Sequence, residues 1–156
     1  HVDTQLGSGT QFQIVLPLTL AVVPALLVRV RQATFAIPLV MITETLRLEH
    51  TEIKNVYQKP VTVLRKSVLS LMHLSDIFKF PQSNEERKYL FAVVVQSGRQ
   101  RVGLIVDSLV GEEDVVVKPL GAFIGDIPGI SSAAILSEGQ VALIVDVFGL
   151  FKLAGI

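Results

Sequence analysis

Three histidines, His1, His50 and His73, are the side chains best suited to proton transfer or imidazole ligation near neutral pH. None stands at the spacing of a catalytic triad or a metal site. His50 sits beside Thr51 and Glu52 in a polar turn, and His73 opens a short helical pattern. The acidic run Gly111-Glu112-Glu113-Asp114 offers carboxylates to a hard cation, but not the spaced oxygen ligands of a calcium loop, and reads as a solvated turn. Gly7-Ser8-Gly9-Thr10 is glycine-rich, yet it leads into a strand and lacks the following lysine of a phosphate loop. Lys88, Arg99 and Arg101 lack the interleaved aromatics of a single-strand binding surface, in a chain with no tryptophan and two tyrosines. Between Gly121 and Ser132 the one ionisable side chain is Asp126, short of the paired groups that acid–base work requires. The residues therefore predict no catalytic site, no cofactor site and no metal site.

The composition narrows the partners. Lysine plus arginine and aspartate plus glutamate number 14 each, so there is no net field to concentrate polyanions. That argues against nucleic acid or an anionic membrane surface. The absence of cysteine favours a cytoplasmic protein. Thr4 to Val28 carries no charge and has the length of a membrane span, but Gly7, Gly9, Gln11, Gln13, Pro17 and Pro24 interrupt it. With no basic leader before it, it reads as neither a span nor a secretory signal.

The elements that must carry any function come twice. Sliding the chain by 67 places lays Ala25-Leu26-Leu27-Val28 on Ala92-Val93-Val94-Val95, and Phe35-Ala36-Ile37 on Val102-Gly103-Leu104. A slide of 73 lays Val68-Leu69-Ser70-Leu71 on Val141-Ala142-Leu143-Ile144, and Ile77 to Phe80 on Leu150 to Leu153. Alternating or β-branched runs predict strands at Thr10–Leu16, Leu26–Val30, Thr34–Ile37, Thr43–Leu48, Val61–Leu64 and Val68–Met72. In the second half they fall at Tyr89–Val95, Val102–Val106, Val115–Val117, Ala133–Leu136 and Val141–Val145. Short helices are expected over His73–Phe78 and Phe148–Leu153, and a long loop over Gly121–Ser132. About five strands per half, with close turns, predict two small β-barrels in tandem. The first is placed at 19–80, a polar linker at 81–87 and the second at 88–156. Half the residues are hydrophobic, enough for two cores. Leu104-Ile105-Val106 and Val115-Val116-Val117 are continuously apolar, whereas a lone barrel buries alternate residues. Their outer faces must be covered, by the other half of the chain or by another protein.

Gly103-Leu104-Ile105-Val106-Asp107, Gly111, Val115 to Leu120, Ala134-Ile135-Leu136 and Val141 to Ile144 resemble the CheW-like regulatory domain at the C-terminus of chemotaxis histidine kinases of the CheA type. Gly7 to Phe12 followed by Leu16 to Ala21 resembles the end of the kinase ATP-binding domain running into that domain, which assigns 1–18 to the junction. The resemblance implies an all-β fold of two SH3-like five-stranded barrels, and a non-catalytic role. It implies docking on the adaptor CheW, on the cytoplasmic tips of chemoreceptors and on the rest of the kinase, in a cytoplasmic domain recruited to receptor arrays. The apolar strands Leu39–Leu48 and Leu109–Val117 are the expected interfaces, through Leu39, Met41, Leu46, Leu48, Leu109, Val110, Val115 and Val117, with Arg65 as a further contact. The same strands also suit the contact between barrels. Two departures from the family stand out: Arg65-Lys66 where Arg-Gly is usual, and Ser70 where a proline is usual. Replacing that glycine places a side chain on a turn that calls for positive φ. A free-standing CheW-type adaptor shares the fold but not the N-terminal junction. A small-barrel nucleic-acid-binding module is the reading of another class, opposed by the zero net charge.

Overall fold

The structure, a computed structural model, describes residues 2–5, 9–12, 21–81, 88–119, 128–136 and 138–153, with side chains from residue 21 onward except 118 and 119. His1, Gly7, Ser8, Asp126, most of the expected loop at 121–132, residues 82–87 of the linker and the second half of the Thr10–Leu16 strand lie outside it. A hairpin of β1 (Val2–Gln5) and β2 (Gly9–Phe12) forms a separate two-stranded sheet. The body comprises β3 (Val22–Val30), β4 (Ala33–Pro38), β5 (Ile42–Glu49), β6 (Lys54–Val56), β7 (Lys59–Leu64), β8 (Ser67–His73) and α1 (Leu74–Ile77). There follow β9 (Tyr89–Ser97), β10 (Gln100–Val106), β11 (Ser108–Pro119), β12 (Ile130–Ile135), β13 (Val141–Val145) and α2 (Val147–Leu153).

These strands make one closed barrel, in the order β11-β12-β13-β4-β3, and a second sheet, in the order β5-β9-β10-β8-β7-β6. The sheets do not follow the two halves of the sequence. The β3–β4 hairpin leaves the first half and pairs with the second, antiparallel to β11 from Ser108 opposite Arg29 to Val116 opposite Val22, and parallel to β13 at Phe35 opposite Leu143. In return β9 and β10 join β5 and β8. Each sheet is completed by a hairpin from the far side of residues 82–87, so strand pairing runs across the ranges 19–80 and 88–156.

The duplication survives the exchange. Shifting Val22–Val30 by 67 gives Tyr89–Ser97, the bounds of β3 and β9. Each sheet has the same order of pairings: β11-β3-β4-β13-β12 matches β5-β9-β10-β8-β7, with one parallel contact in each, β4 with β13 and β10 with β8. Even the bulges correspond, between Ile42 and Glu44 in β5 and between Leu109 and Gly111 in β11. The bulge also places the acidic run Gly111 to Asp114 within a twelve-residue strand, where a turn was expected.

Three apolar cores follow from the two-residue period of the strands. Ala25, Leu27, Ala36, Val115, Ala134, Leu136, Ala142 and Ile144 fill the closed barrel. Leu48, Leu69, Leu71, Ala92, Val94 and Ile105 fill the second. The intervening residues Leu26, Val28, Val30, Val93, Val95, Val102, Leu104 and Val106 point outward and pack between the barrels with Phe35, Ile37, Leu74, Leu150 and Phe151. The continuous run Leu104-Ile105-Val106 is thereby explained: Ile105 enters a barrel, while its neighbours enter the shared layer.

Candidate docking faces

Four of the exposed apolar side chains stand as facing pairs on two hairpins, one in each sheet, while Val40, Tyr57, Val110, Phe148 and Leu153 are exposed elsewhere. In the second sheet the hairpin β7–β8 sets Val63 opposite Val68, 66% and 70% exposed. In the closed barrel the corresponding hairpin β12–β13 sets Ile135 opposite Val141, 39% and 61% exposed. This second pair is continued sideways, since Ile135 lies opposite the half-buried Val116 of β11, and Val116 opposite the exposed Val22 of β3. The result is a band of Val141, Ile135, Val116 and Val22 across four strands.

Charge separates the two faces. The outward side of β6 and β7 carries exposed Lys54 and Lys59 near Val61 and Val63, and the β7–β8 turn carries Arg65 and Lys66. Arg65 is neutralised by Glu44 of β5 at 3.0 Å. The band on the closed barrel is flanked instead by exposed Glu112 and Asp114 of β11 and Glu138 of the β12–β13 turn. The turns differ in conformation as well. Arg65 and Lys66 both adopt positive φ, 50° and 67°, the geometry of a two-residue type I′ hairpin. Lys66 thus holds the strained position that its side chain was expected to meet.

A second candidate lies between the barrels. An apolar cavity of about 470 Å³ is lined by Phe35, Ile77, Phe78, Phe80, Ile130 and Leu143 among others, with Phe35 stacked on Phe78 at 5.0 Å between ring centres. Nearby, Asp107 clamps the barrels. Its carboxylate accepts from the Arg31 guanidinium at 3.0 and 3.1 Å and from the Arg31 backbone N–H, while the Arg31 Nε donates to the Pro81 carbonyl at 3.0 Å.

The structure scatters the residues singled out from the sequence. Val115 is fully buried and Leu48 nearly so, both inside barrels. Val117 and Leu46 are half-buried beside the same two cores, and Leu39, Met41 and Leu109 beside the shared layer. Val110, at the bulge of β11, and Arg65 are exposed. Val63, Val68, Ile135 and Val141 were not singled out, although the slide that laid Val68 on Val141 had already paired the two hairpins. Of the histidines, His50 starts a 3-10 turn over His50–Glu52, and His73 lines a shallow cavity with Asn55, Lys59 and Asp76. Among the described residues no three His, Asp or Glu side chains group as a metal site, and no helix is long and apolar enough to cross a membrane.

Residues 24–155 match the CheW-like domain model. The chain belongs to the CheW-like domain family. Several relatives are chemotaxis kinases. The chain is 41% identical over 154 residues to the sensor histidine kinase CheAY of Helicobacter pylori, covering 99% of this chain and 19% of that protein. It is 40% identical to the chemotaxis protein CheA of Treponema pallidum, covering 97% and 19%, and 39% identical to that of Salmonella typhimurium, covering 96% and 23%. The chain thus spans about a fifth of the length of these relatives. The scaffolding protein TtCheW of Thermoanaerobacter tengcongensis shares the fold, with a TM-score of 0.73 at 15% identity, covering 87% of this chain and 97% of that one. The chain is thus a CheW-like domain similar to one part of a sensor histidine kinase and of chemotaxis proteins CheA.

Proposed function

We propose that this CheW-like domain is the regulatory and docking part of a chemotaxis sensor histidine kinase, cytoplasmic and recruited to receptor arrays. There it binds the adaptor CheW and the cytoplasmic tips of chemoreceptors, so that receptor state controls phosphotransfer elsewhere in the kinase. The observation that carries the reading is the pair of equivalent exposed hairpins, Val63–Val68 and Ile135–Val141, one on each barrel. A homologous two-barrel adaptor offers similar faces, and contiguous exposed apolar surface marks association sites. Arg65 borders the first of these faces, and the cavity between the barrels suits apolar side chains of a receptor tip. This chain alone neither binds ATP nor transfers phosphate. The free-standing adaptor is the weaker reading, because alignment to the CheA relatives extends over 96–99% of the chain, including residues ahead of the matched 24–155.

Isothermal titration with the cognate adaptor tests the reading. Val63→Asp and Val141→Asp are each expected to weaken binding roughly tenfold or more, with unchanged circular dichroism. Affinity unaltered by both variants would remove the two hairpins as docking faces.

A further inference from the structure

The second sheet leaves two strand edges bordering one gap. Among the described residues β5 pairs with β9 alone, and the edge of β7 turned away from β8 meets β6 only from Lys59 to Val61. Beyond that point Thr62–Leu64 of β7 and Leu46–Leu48 of β5 line a single cavity of about 410 Å³, together with Glu52 and Lys54. Successive side chains of a strand point to opposite faces. A cavity reached by three consecutive residues of each strand therefore borders their edges rather than one face of a sheet. In the closed barrel β11 joins β12 directly, Val116 opposite Ile135, whereas β5 ends at Glu49 without a ladder to β7. The inner side of the gap is apolar: Leu46, Leu48 and Leu64 pack in the barrel core, and Thr62 is buried beside them. On the outer side stand exposed Arg47, Lys54 and Val63, with exposed Lys66 in the adjoining turn. The one acid that lines the gap, Glu52, has its carboxylate occupied by the Glu49 backbone N–H at 3.1 Å.

We propose that this gap takes up an extended peptide strand of alternating apolar and acidic residues, donated by a partner protein. Followed through β9, β10 and β8, with their one parallel step, β5 and β7 run antiparallel. The added strand thus lies antiparallel to one edge and parallel to the other. Main-chain bonds to the edges supply affinity, and the alternating side chains supply selection. Those turned inward meet Leu46, Leu48 and Leu64 and are apolar, while those turned outward meet Arg47 and Lys54 and are acidic. Charge favours this occupant over a basic one. The chain as a whole is neutral, yet residues 39–81 and 88–107, which build this sheet and α1, hold nine basic side chains against five acidic ones. Docking through the exposed hairpins uses side chains on outer faces, whereas this site uses unpaired backbone, so the two are independent.

The test titrates the chain with an acetylated and amidated hexapeptide of alternating glutamate and valine, followed by calorimetry and by amide hydrogen exchange. The expected dissociation constant is on the order of 100 μM. Exchange should slow at Leu46–Leu48 and Thr62–Leu64 and stay unchanged in β11 and β12. The same peptide with N-methylated valines keeps its side chains but loses main-chain donors, and should bind roughly tenfold more weakly. A peptide with lysine in place of glutamate should also lose affinity. Lys54→Glu, at an exposed position, should weaken the glutamate peptide roughly threefold and strengthen the lysine peptide. No binding of the glutamate peptide up to about 1 mM overturns the proposal. So does equal affinity of the N-methylated peptide, or protection gained away from the two edges. Adaptor binding that persists in a chain indifferent to the peptide would leave the proposed function standing and remove only this inference.

Discussion

The closed barrel and its partner sheet are copies of one plan that differ at a single strand. In the closed barrel β11 runs unbroken for twelve residues, pairing with β3 over its first part and with β12 over Val116 to Pro119. In the partner the same path is cut. β5 ends at Glu49, a 3-10 turn over His50–Glu52 intervenes, and the chain resumes as β6, which pairs with β7 at Lys54 opposite Val61. Counting β5 and β6 as one interrupted strand, the second sheet is also a five-stranded barrel, with a seam in place of a continuous ladder. The seam is held by the Thr62 hydroxyl, which donates to the Glu52 carbonyl at 2.9 Å, by the Arg65–Glu44 pair, and by a capping box joining Glu49 and Glu52. A duplicated fold can thus exchange main-chain pairing for side-chain bonds at one strand and keep its order elsewhere.

The widest effect is expected from the layer that the two barrels share. Leu104→Ala removes a fully buried side chain from it and should cost about 3 kcal/mol. Native-state hydrogen exchange should show protection falling in both barrels together. Loss confined to β9 and β10 would mean that the barrels unfold independently. Thr62→Val keeps the shape of a buried side chain but deletes the seam bond, at a cost of about 1 kcal/mol. Here exchange should quicken in β6 and β7 and leave β11 and β12 unchanged, and an equal effect in both barrels would erase the distinction between seam and ladder. The smallest change concerns the turns. Lys66→Gly should stabilise by up to about 1 kcal/mol, since glycine adopts φ near 67° without strain, while Gly139→Ala, at φ 83° in the matching turn, should destabilise by a similar amount. Thermal melting of the two variants provides the check.

Much of this plan is legible in the residues. The repeat located β3 against β9 and β8 against β13, and the short helices expected over His73–Phe78 and Phe148–Leu153 overlap α1 and α2 at equivalent places. Strand exchange was not legible, because apolar alternation tells which face of a strand is buried and not which neighbour it pairs with. Lys54–Val56 escaped notice because all three of its residues are exposed, leaving no alternation to detect. The acidic run in β11 looked like a turn because its charges conceal a strand whose outward positions are wet. Among the candidate contacts, Leu48 and Val115 lie inside barrels, and apolar character alone does not separate a barrel lumen from an exposed face. Val63, Val68, Ile135 and Val141 become distinguishable only when register sets them opposite one another on the outside.

The exchanged hairpin also governs the order in which a ribosome can deliver this molecule. Every strand of the interrupted barrel lies between Ile42 and Val106, so that body has all its parts once the middle of the chain has emerged. The closed barrel needs both Val22 and Val145, and its first hairpin must wait, with one flank unpaired, until Val145 has emerged. The seamed barrel, already at hand, is the surface against which that waiting hairpin shelters its apolar side.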